Sequence, residues 1–430
     1  MADARVLTAQ DTLRDRAKAL APKIHERADD NERNRVVADE SIQEMIEAGL
    51  FRALQPKRYG GLEAPPEDFF GAMVEISRAC PSTGWVLGIL GIHVWEFAQM
   101  NLEVQDEVYA DDPTTLVSSS YAAQGSATPV PGGYRLKGEW RSSSGIMHAS
   151  WSVVGAKVPR AVAGSDELVP NSMSFLLPLN DPDVTIVDDW YTLGLAGTGS
   201  RRIVLDDVFV PEHRAVDRDV LVMKAGPGLD VNTSPLYRLP YGAMYIGPGS
   251  APAIGGGWGF LDEYIRQASK YTRRINNMRI SEDRLSMSRL AHAHALLSDM
   301  EIVMLHRYRE LYETACAGQE ITREQQALAA FDLSRCASAA VEAVTGLMPT
   351  LGAGVVYSSN RLQRLLRDVM TMRQHGTQDP DVHMTNVAGA LYGREATGDQ
   401  FALPNNVAQA ALQRAGYVNG SASTPTFGSS

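Results

Sequence analysis

The period at which apolar residues recur changes twice along this chain, and that leaves few architectures open. Up to about residue 112 they recur every three or four positions, the repeat of amphipathic helices. Residues 12–27 and 41–48 carry this spacing, with Asp39 and Ser41 placed as N-caps. Tyr59-Gly60-Gly61 reads as a turn and Pro65-Pro66 as the next helix start. From Pro113 to about Val216 the period drops to two. After the turn Pro131-Gly132-Gly133, Tyr134, Leu136 and Trp140 alternate with Arg135, Lys137 and Glu139, a strand with one apolar and one polar face. Further strands are predicted over 151–158, 172–179 and 202–209, with a mobile polar insertion at 160–170. From about Ser234 the helical repeat returns. A Gly/Pro-rich stretch at 247–259 precedes a helix over 260–272, and longer helices follow over 282–316, 323–347 and 360–374.

Helices, then strands, then helices predict an α+β fold that is mostly α. The expected division is an N-terminal helical domain at 1–113, a small antiparallel β-barrel or sandwich at 114–230, a helical C-terminal domain at 231–400 and a tail at 401–430, poorly ordered from Leu412 on. The long helices offer more apolar face than one small sheet covers, so subunits are expected to associate.

Charge and cysteine content exclude some functions. A net charge of −11 argues against nucleic acid or an anionic membrane as partner. Three dispersed cysteines, Cys80, Cys316 and Cys336, fit a reducing compartment better than a disulfide framework or a zinc site. Residues 1–11 lack a signal-peptide apolar core, and no apolar run is long enough to span a membrane. A cytoplasmic protein is expected.

Chemistry-bearing residues gather in four stretches. The run from Trp85 to Trp95 is apolar nearly all round, so His93 inside it is buried and must find a partner or stay neutral. The strand through Gly138-Glu139-Trp140 frays into Arg141-Ser142-Ser143-Ser144-Gly145, leaving hydroxyls and N–H groups for a flat polar heterocycle. The segment 190–200 is a second glycine–hydroxyl loop, holding Thr198 and Ser200. Arg367 to Pro380 ends the last long helix, and Gly376-Thr377 and Pro380 leave His375 at its stop, where it can act as acid or base. Arg273, Arg274 and Arg279 cluster near a helix end and suit a phosphate. No metal site is expected: His292 and His294 diverge on a helix, and Pro380 breaks the helix that would align His375, Asp379 and His383. No Gly-x-Gly-x-x-Gly follows a strand, so reducing equivalents would come from elsewhere.

Over about residues 7–400 this order of segments resembles the acyl-CoA dehydrogenase fold, and the resemblance implies a C-terminal four-helix bundle. The block Leu193-Gly-Leu-Ala-Gly-Thr-Gly-Ser200 with Val210-Pro211, and Gly352-x-Gly354 with Arg367-Asp368, are similar to its motifs. Ser82-Thr83-Gly84-Trp85 with His93-x-Trp95, Gly138-x-Trp140 with Ser143-Ser144-Gly145, and Pro211-Glu212-His213-Arg214 resemble the oxygenase components of two-component flavin monooxygenases. Where common dehydrogenases carry Glu-Gly-Thr, with the glutamate as base, this chain has His375-Gly376-Thr377.

The closer resemblance implies an oxygenase that takes reduced FMN or FAD from a separate NAD(P)H:flavin reductase. With O2, through a C4a-hydroperoxyflavin, it would hydroxylate a small phenolic substrate. In that reading Ser144 meets flavin N5, with Trp140, Ser143, Thr198 and Ser200 nearby. Arg274 meets the flavin phosphate. Gly352 and Gly354 approach the flavin tail across a homotetramer or homodimer. His375 removes the phenolic proton, His93 orients the substrate, and Trp95 walls the pocket. Two other readings remain: an acyl-CoA dehydrogenase-like oxidase, which needs a carboxylate at position 375, and a non-catalytic assembly protein.

Overall fold

The computed structural model describes residues 11–161, 168–273 and 277–392. The tail at 401–430, the middle of the 160–170 insertion and Arg274 lie outside them. Five helices come first: α1 (Leu13–Asn34), α2 (Asp39–Glu47), α3 (Pro66–Ala79), α4 (Pro81–Phe97) and α5 (Leu102–Tyr109). Thr12 closes a capping box with Asp15 at the head of α1. Asp39 and Ser41 lie inside α2, and Ala38 holds its cap position without a side-chain bond. The seventeen residues of α4 are buried on all sides except at Ile89, because it threads the core where α3 and the C-terminal helices meet.

Seven strands follow: β1 (Val117–Val130), β2 (Gly133–Ser143), β3 (Trp151–Ala161), β4 (Leu168–Pro178), β5 (Val184–Val187), β6 (Arg201–Pro211) and β7 (Ala215–Asp217). They make one sheet in the order β5-β6-β2-β1-β3-β4-β7. The sheet is mixed, which corrects the antiparallel expectation: β1 and β3 run parallel, Val117 beside Trp151. After the β1–β2 hairpin the chain turns at Ile146–His148 and returns along the other edge of β1, in the same direction. Side-chain alternation cannot reveal this, since parallel and antiparallel strands share the period of two.

After α6 (Arg218–Val222) comes α7 (Tyr241–Ala268), around which α3, α4 and the later helices pack. It runs unbroken through the Gly/Pro-rich stretch expected to precede a shorter helix. Those glycines serve close packing: a Cβ on Gly247 would lie 2.2 Å from the Tyr308 hydroxyl, and one on Gly257 would lie 2.5 Å from Leu297. Then come α8 (Arg284–Cys316), α9 (Arg323–Ser334), α10 (Cys336–Leu347), α11 (Arg361–Met372) and α12 (Asp381–Leu391). The single helix expected over 323–347 divides into α9 and α10 at Arg335. The helices share one hydrophobic core, and one face of the sheet buries a second around Trp140 and Phe175.

Candidate active site

A cavity of about 500 Å³ opens where α4, α7, the sheet and the segment after α11 meet. Trp85, Ile89 and His93, spaced by four, reach it from one face of α4. The turn that follows β2 contributes Ser144. Strict alternation along β2 would turn Ser144 and Trp140 to the same side, yet they diverge. Trp140 pairs with Ile203 and Ser143 with Arg201, so three steps on β2 match two on β6. Ser142 takes up this bulge at φ +66°. Trp140 and Ser143 therefore face the sheet core, where the Trp140 Nε1 donates to the Gly155 carbonyl at 2.5 Å. Arg141, Ser142 and Ser144 face the cavity.

Ser144 belongs to a chain of hydroxyls. Trp85 Nε1 donates to Ser144 Oγ at 3.1 Å; Ser144 lies 2.7 Å from Ser200 Oγ, and Ser200 lies 2.6 Å from Thr198 Oγ1. Thr198 donates to the Leu195 carbonyl at 2.8 Å. The loop carrying Thr198 and Ser200 is fastened to α11, where Asp368 accepts from the Leu195 N–H at 2.6 Å. Burial pushes the Asp368 carboxyl up to about 6, against the Leu195 bond and the nearby Arg364. An acid whose pKa is raised by folding stabilises the fold while protonated, and that contribution fades as pH rises from the unfolded value of about 4 through about 6. Asp368→Asn removes this dependence. Thermal melts should show the variant level with wild type near pH 4 and about 1–2 kcal/mol more stable near pH 8, after the weaker neutral hydrogen bond is allowed for.

Behind His93 lies a group the sequence reading passed over. Glu96, 0% exposed, accepts from the hydroxyls of Tyr241 at 3.0 Å, Tyr245 at 2.6 Å and, in a shorter contact, Tyr121. The Nδ1 of His93 lies 3.2 Å from the same carboxylate and 3.0 Å from the Tyr121 oxygen. Desolvation works against the charge on Glu96, but the bonds to His93, Tyr121 and Tyr245 outweigh it and hold the carboxyl below its ordinary range. Burial and the Glu96 charge push all three tyrosines far up, so they remain donors. Tyr121 and Tyr245 spend their protons on Glu96, so Nδ1 of His93 must be a donor too. In its neutral form the ring carries its lone pair on Nε2, which has no protein partner on a residue only 1% exposed. In that form His93 offers the cavity an acceptor. A carboxylate three positions after a histidine, inside an apolar helix, is the signal that could have revealed this.

His375 is the converse. It precedes a 3-10 turn at Gly376–Gln378, which Gln378 ties to α7 by donating to the Ile246 carbonyl at 3.0 Å. Its Nδ1 accepts from the Thr377 N–H and lies 2.8 Å from the Thr377 hydroxyl. That puts the proton of the neutral ring on Nε2. The residue is exposed where it borders the cavity, with Trp85 edge-on at 5.3 Å. The protein atoms packed near the ring lower its pKa. His375 offers the cavity a donor.

The other expected site residues lie elsewhere. Trp95 is 0% exposed behind Tyr241 and Tyr245, donates to the Leu236 carbonyl at 2.8 Å, and forms no wall of the cavity. The helix turns it away from the face that holds His93. Arg273 is held by Asp283, Ser286 and the Thr350 carbonyl, and Arg279 is exposed at the end of a two-residue strand. Gly352 and Gly354 border a separate notch beside Lys270 and Tyr271.

Residues 8–106 match the acyl-CoA dehydrogenase N-terminal domain model, and residues 249–380 match a model of its C-terminal domain. The chain is 35% identical over 390 residues to the flavin-dependent monooxygenase oxygenase subunit HsaA of Rhodococcus jostii, covering 90% of this chain and 98% of that one. It belongs to the flavin-dependent monooxygenase oxygenase components. It is also 31% identical to the p-hydroxyphenylacetate 3-hydroxylase oxygenase component of Acinetobacter baumannii, over 90% of this chain and 89% of that one. The crystal structure of 3-HSA hydroxylase from Rhodococcus sp. RHA1 superposes with a TM-score of 0.84 at 33% identity, covering 91% and 99% of the two chains.

Membership in the oxygenase components sets aside the dehydrogenase-like and non-catalytic readings. It brings reduced flavin, dioxygen and a reductase partner with it. The residues present fit a flavin: a cavity of ligand size, a tryptophan on its wall and a row of hydroxyls for the polar edge of the ring. Among the described residues no helix is long and apolar enough to cross a membrane.

Proposed function

We propose that this oxygenase hydroxylates a small phenol in the cavity between His93 and His375, with Ser144 at flavin N5. The observation that carries the reading is that two imidazoles line a single cavity, His93 with an unpartnered Nε2 and His375 with its Nδ1 occupied by Thr377. Relatives named for p-hydroxyphenylacetate and 3-HSA support a phenolic substrate. Bound reduced flavin supplies the activation of dioxygen.

The chain's own residues then divide the proton handling. His93 Nε2 accepts the phenolic proton, and Glu96 compensates the imidazolium that results. Deprotonation makes the ring carbons electron-rich enough to take up oxygen. His375 donates Nε2–H to an oxygen in the cavity and leaves the proton removal to His93. This reverses the roles implied by the resemblance, because the bond at each Nδ1 decides which form of Nε2 the substrate meets.

Exposed apolar side chains at Ile302, Val356 and Tyr357 support association into a homodimer or homotetramer. The notch by Gly352 and Gly354 is also lined by Val355 and Asn360 and is the proposed place for the tail of a flavin held by a neighbouring subunit. Arg274 remains the proposed phosphate contact. Three free thiols fit a cytoplasmic setting.

The test mixes the anaerobic complex of protein and reduced flavin with oxygen, across a panel of phenols and fatty-acyl thioesters. Hydroxylated phenol, with thioesters unchanged, is the expected outcome. Desaturated thioester, or peroxide alone with every phenol, would overturn the reading.

A further inference from the structure

We propose that Thr198 and Ser200 make this protein select reduced over oxidised flavin, acting as positioning residues for the Ser144 hydroxyl. Thr198 has one hydroxyl proton, and in the proposal it goes to the Leu195 carbonyl at 2.8 Å, an acceptor that also receives the Trp190 Nε1–H at 2.9 Å and the Thr198 N–H at 3.2 Å. Its 2.6 Å contact with Ser200 must therefore use the Ser200 proton. Ser200 then has none left for its 2.7 Å contact with Ser144, so Ser144 donates there. One lone pair of Ser144 already receives the Trp85 N–H at 3.1 Å. What remains toward the cavity is a single acceptor site, on a residue 7% exposed.

Reduced flavin carries a proton on N5 and is a donor there; oxidised flavin carries only a lone pair. The first completes the row of hydrogen bonds. The second sets two acceptors against each other where water has little access, and such mismatches are costly. The hydroxyl row thus favours the form the reductase delivers and releases the oxidised form left after turnover, which would otherwise occupy the cavity. The direction begins at a backbone carbonyl, which accepts and cannot donate.

This inference rests on the reading that Ser144 meets N5, and the experiment separates the two. Dissociation constants for reduced flavin, titrated anaerobically, and for oxidised flavin are measured on the intact protein with FMN and with FAD. Wild type should prefer the reduced form. Ser200→Ala frees the Ser144 proton to turn toward N5, so the ratio of the two constants should fall by about tenfold. The same loss appears as a shift of about 30 mV in the two-electron potential of bound flavin. Thr198→Val, which keeps Ser200, should lower the ratio in the same direction. A ratio within one protein is insensitive to partial loss of folded material. If Ser144→Ala leaves the ratio unchanged, the placement of N5 fails and the inference with it. If Ser144→Ala collapses the ratio while Ser200→Ala and Thr198→Val leave it at the wild-type value, the placement stands and the inference is wrong.

Discussion

His93→Ala is expected to lower the rate of phenol hydroxylation by about 10²–10⁴-fold while the protein continues to consume oxygen. A phenol near neutral pH keeps its proton, since its pKa is about 10. Hydroxylation needs that proton removed, and His93 Nε2 is the acceptor the cavity presents, the ring nitrogen left free when Nδ1 donates toward Glu96. Oxygen activation by reduced flavin uses none of this. The variant should therefore uncouple, turning reduced flavin and oxygen into peroxide with little product. The ratio of hydroxylated phenol to peroxide measures it directly. His375→Ala should retain more of the coupled reaction. The reverse ranking would return the base to His375, where the resemblance had placed it.

Glu96→Gln should have the second largest effect, on rate and stability together. The substitution keeps the shape of the side chain and removes its charge. Four groups now converge on that carboxylate, the three tyrosine hydroxyls and His93 Nδ1. An amide brings two N–H donors of its own into a ring of donors, so at least one contact becomes unfavourable. The loss should be about 1–3 kcal/mol, the cost of leaving a buried donor without its acceptor. The imidazolium formed on His93 also loses its counter-charge, so hydroxylation should slow by roughly ten- to a hundredfold at saturating phenol. The pH dependence has a definite sign. Folding holds the Glu96 carboxyl below its ordinary range, so its contribution is complete above the unfolded value of about 4.3 and fades as pH falls through the lower folded value. Denaturant melts should show a constant gap between wild type and variant above about pH 5, closing only in stronger acid. A gap that widens toward neutral pH would show that the carboxyl is protonated in the folded protein.

Much of this molecule can be read along the chain. The change of period at Pro113 and its reversal near Ser234 mark where sheet replaces helix, because side-chain spacing follows backbone geometry and needs no distant partner. Ser144, His93 and His375 stand out for a similar reason: a strand end, an apolar helix and a helix stop are local facts, and all three side chains line one cavity. The glycine–hydroxyl loop through Thr198 and Ser200 reaches the same place.

Elsewhere, features of the same sequence say nothing about the outcome until distant segments meet. The resemblance places Trp140 near the flavin, but its side chain packs in the sheet core, and the bulge at Ser142 turns Ser144 to the cavity in its stead. Trp95 lies two positions from His93, and the helix turns it away from the cavity. The parallel pairing of β1 with β3 leaves no mark on the period of either strand. Glu96 acquires its meaning only from Tyr121, Tyr241 and Tyr245, which lie 25, 145 and 149 residues away. Local order along the backbone chose the elements and the residue types at the cavity. Contacts between remote parts of the chain chose which nitrogen of each histidine faces it, because a proton's position on an imidazole or a hydroxyl is set by the hydrogen-bond partner and not by the residue that carries it.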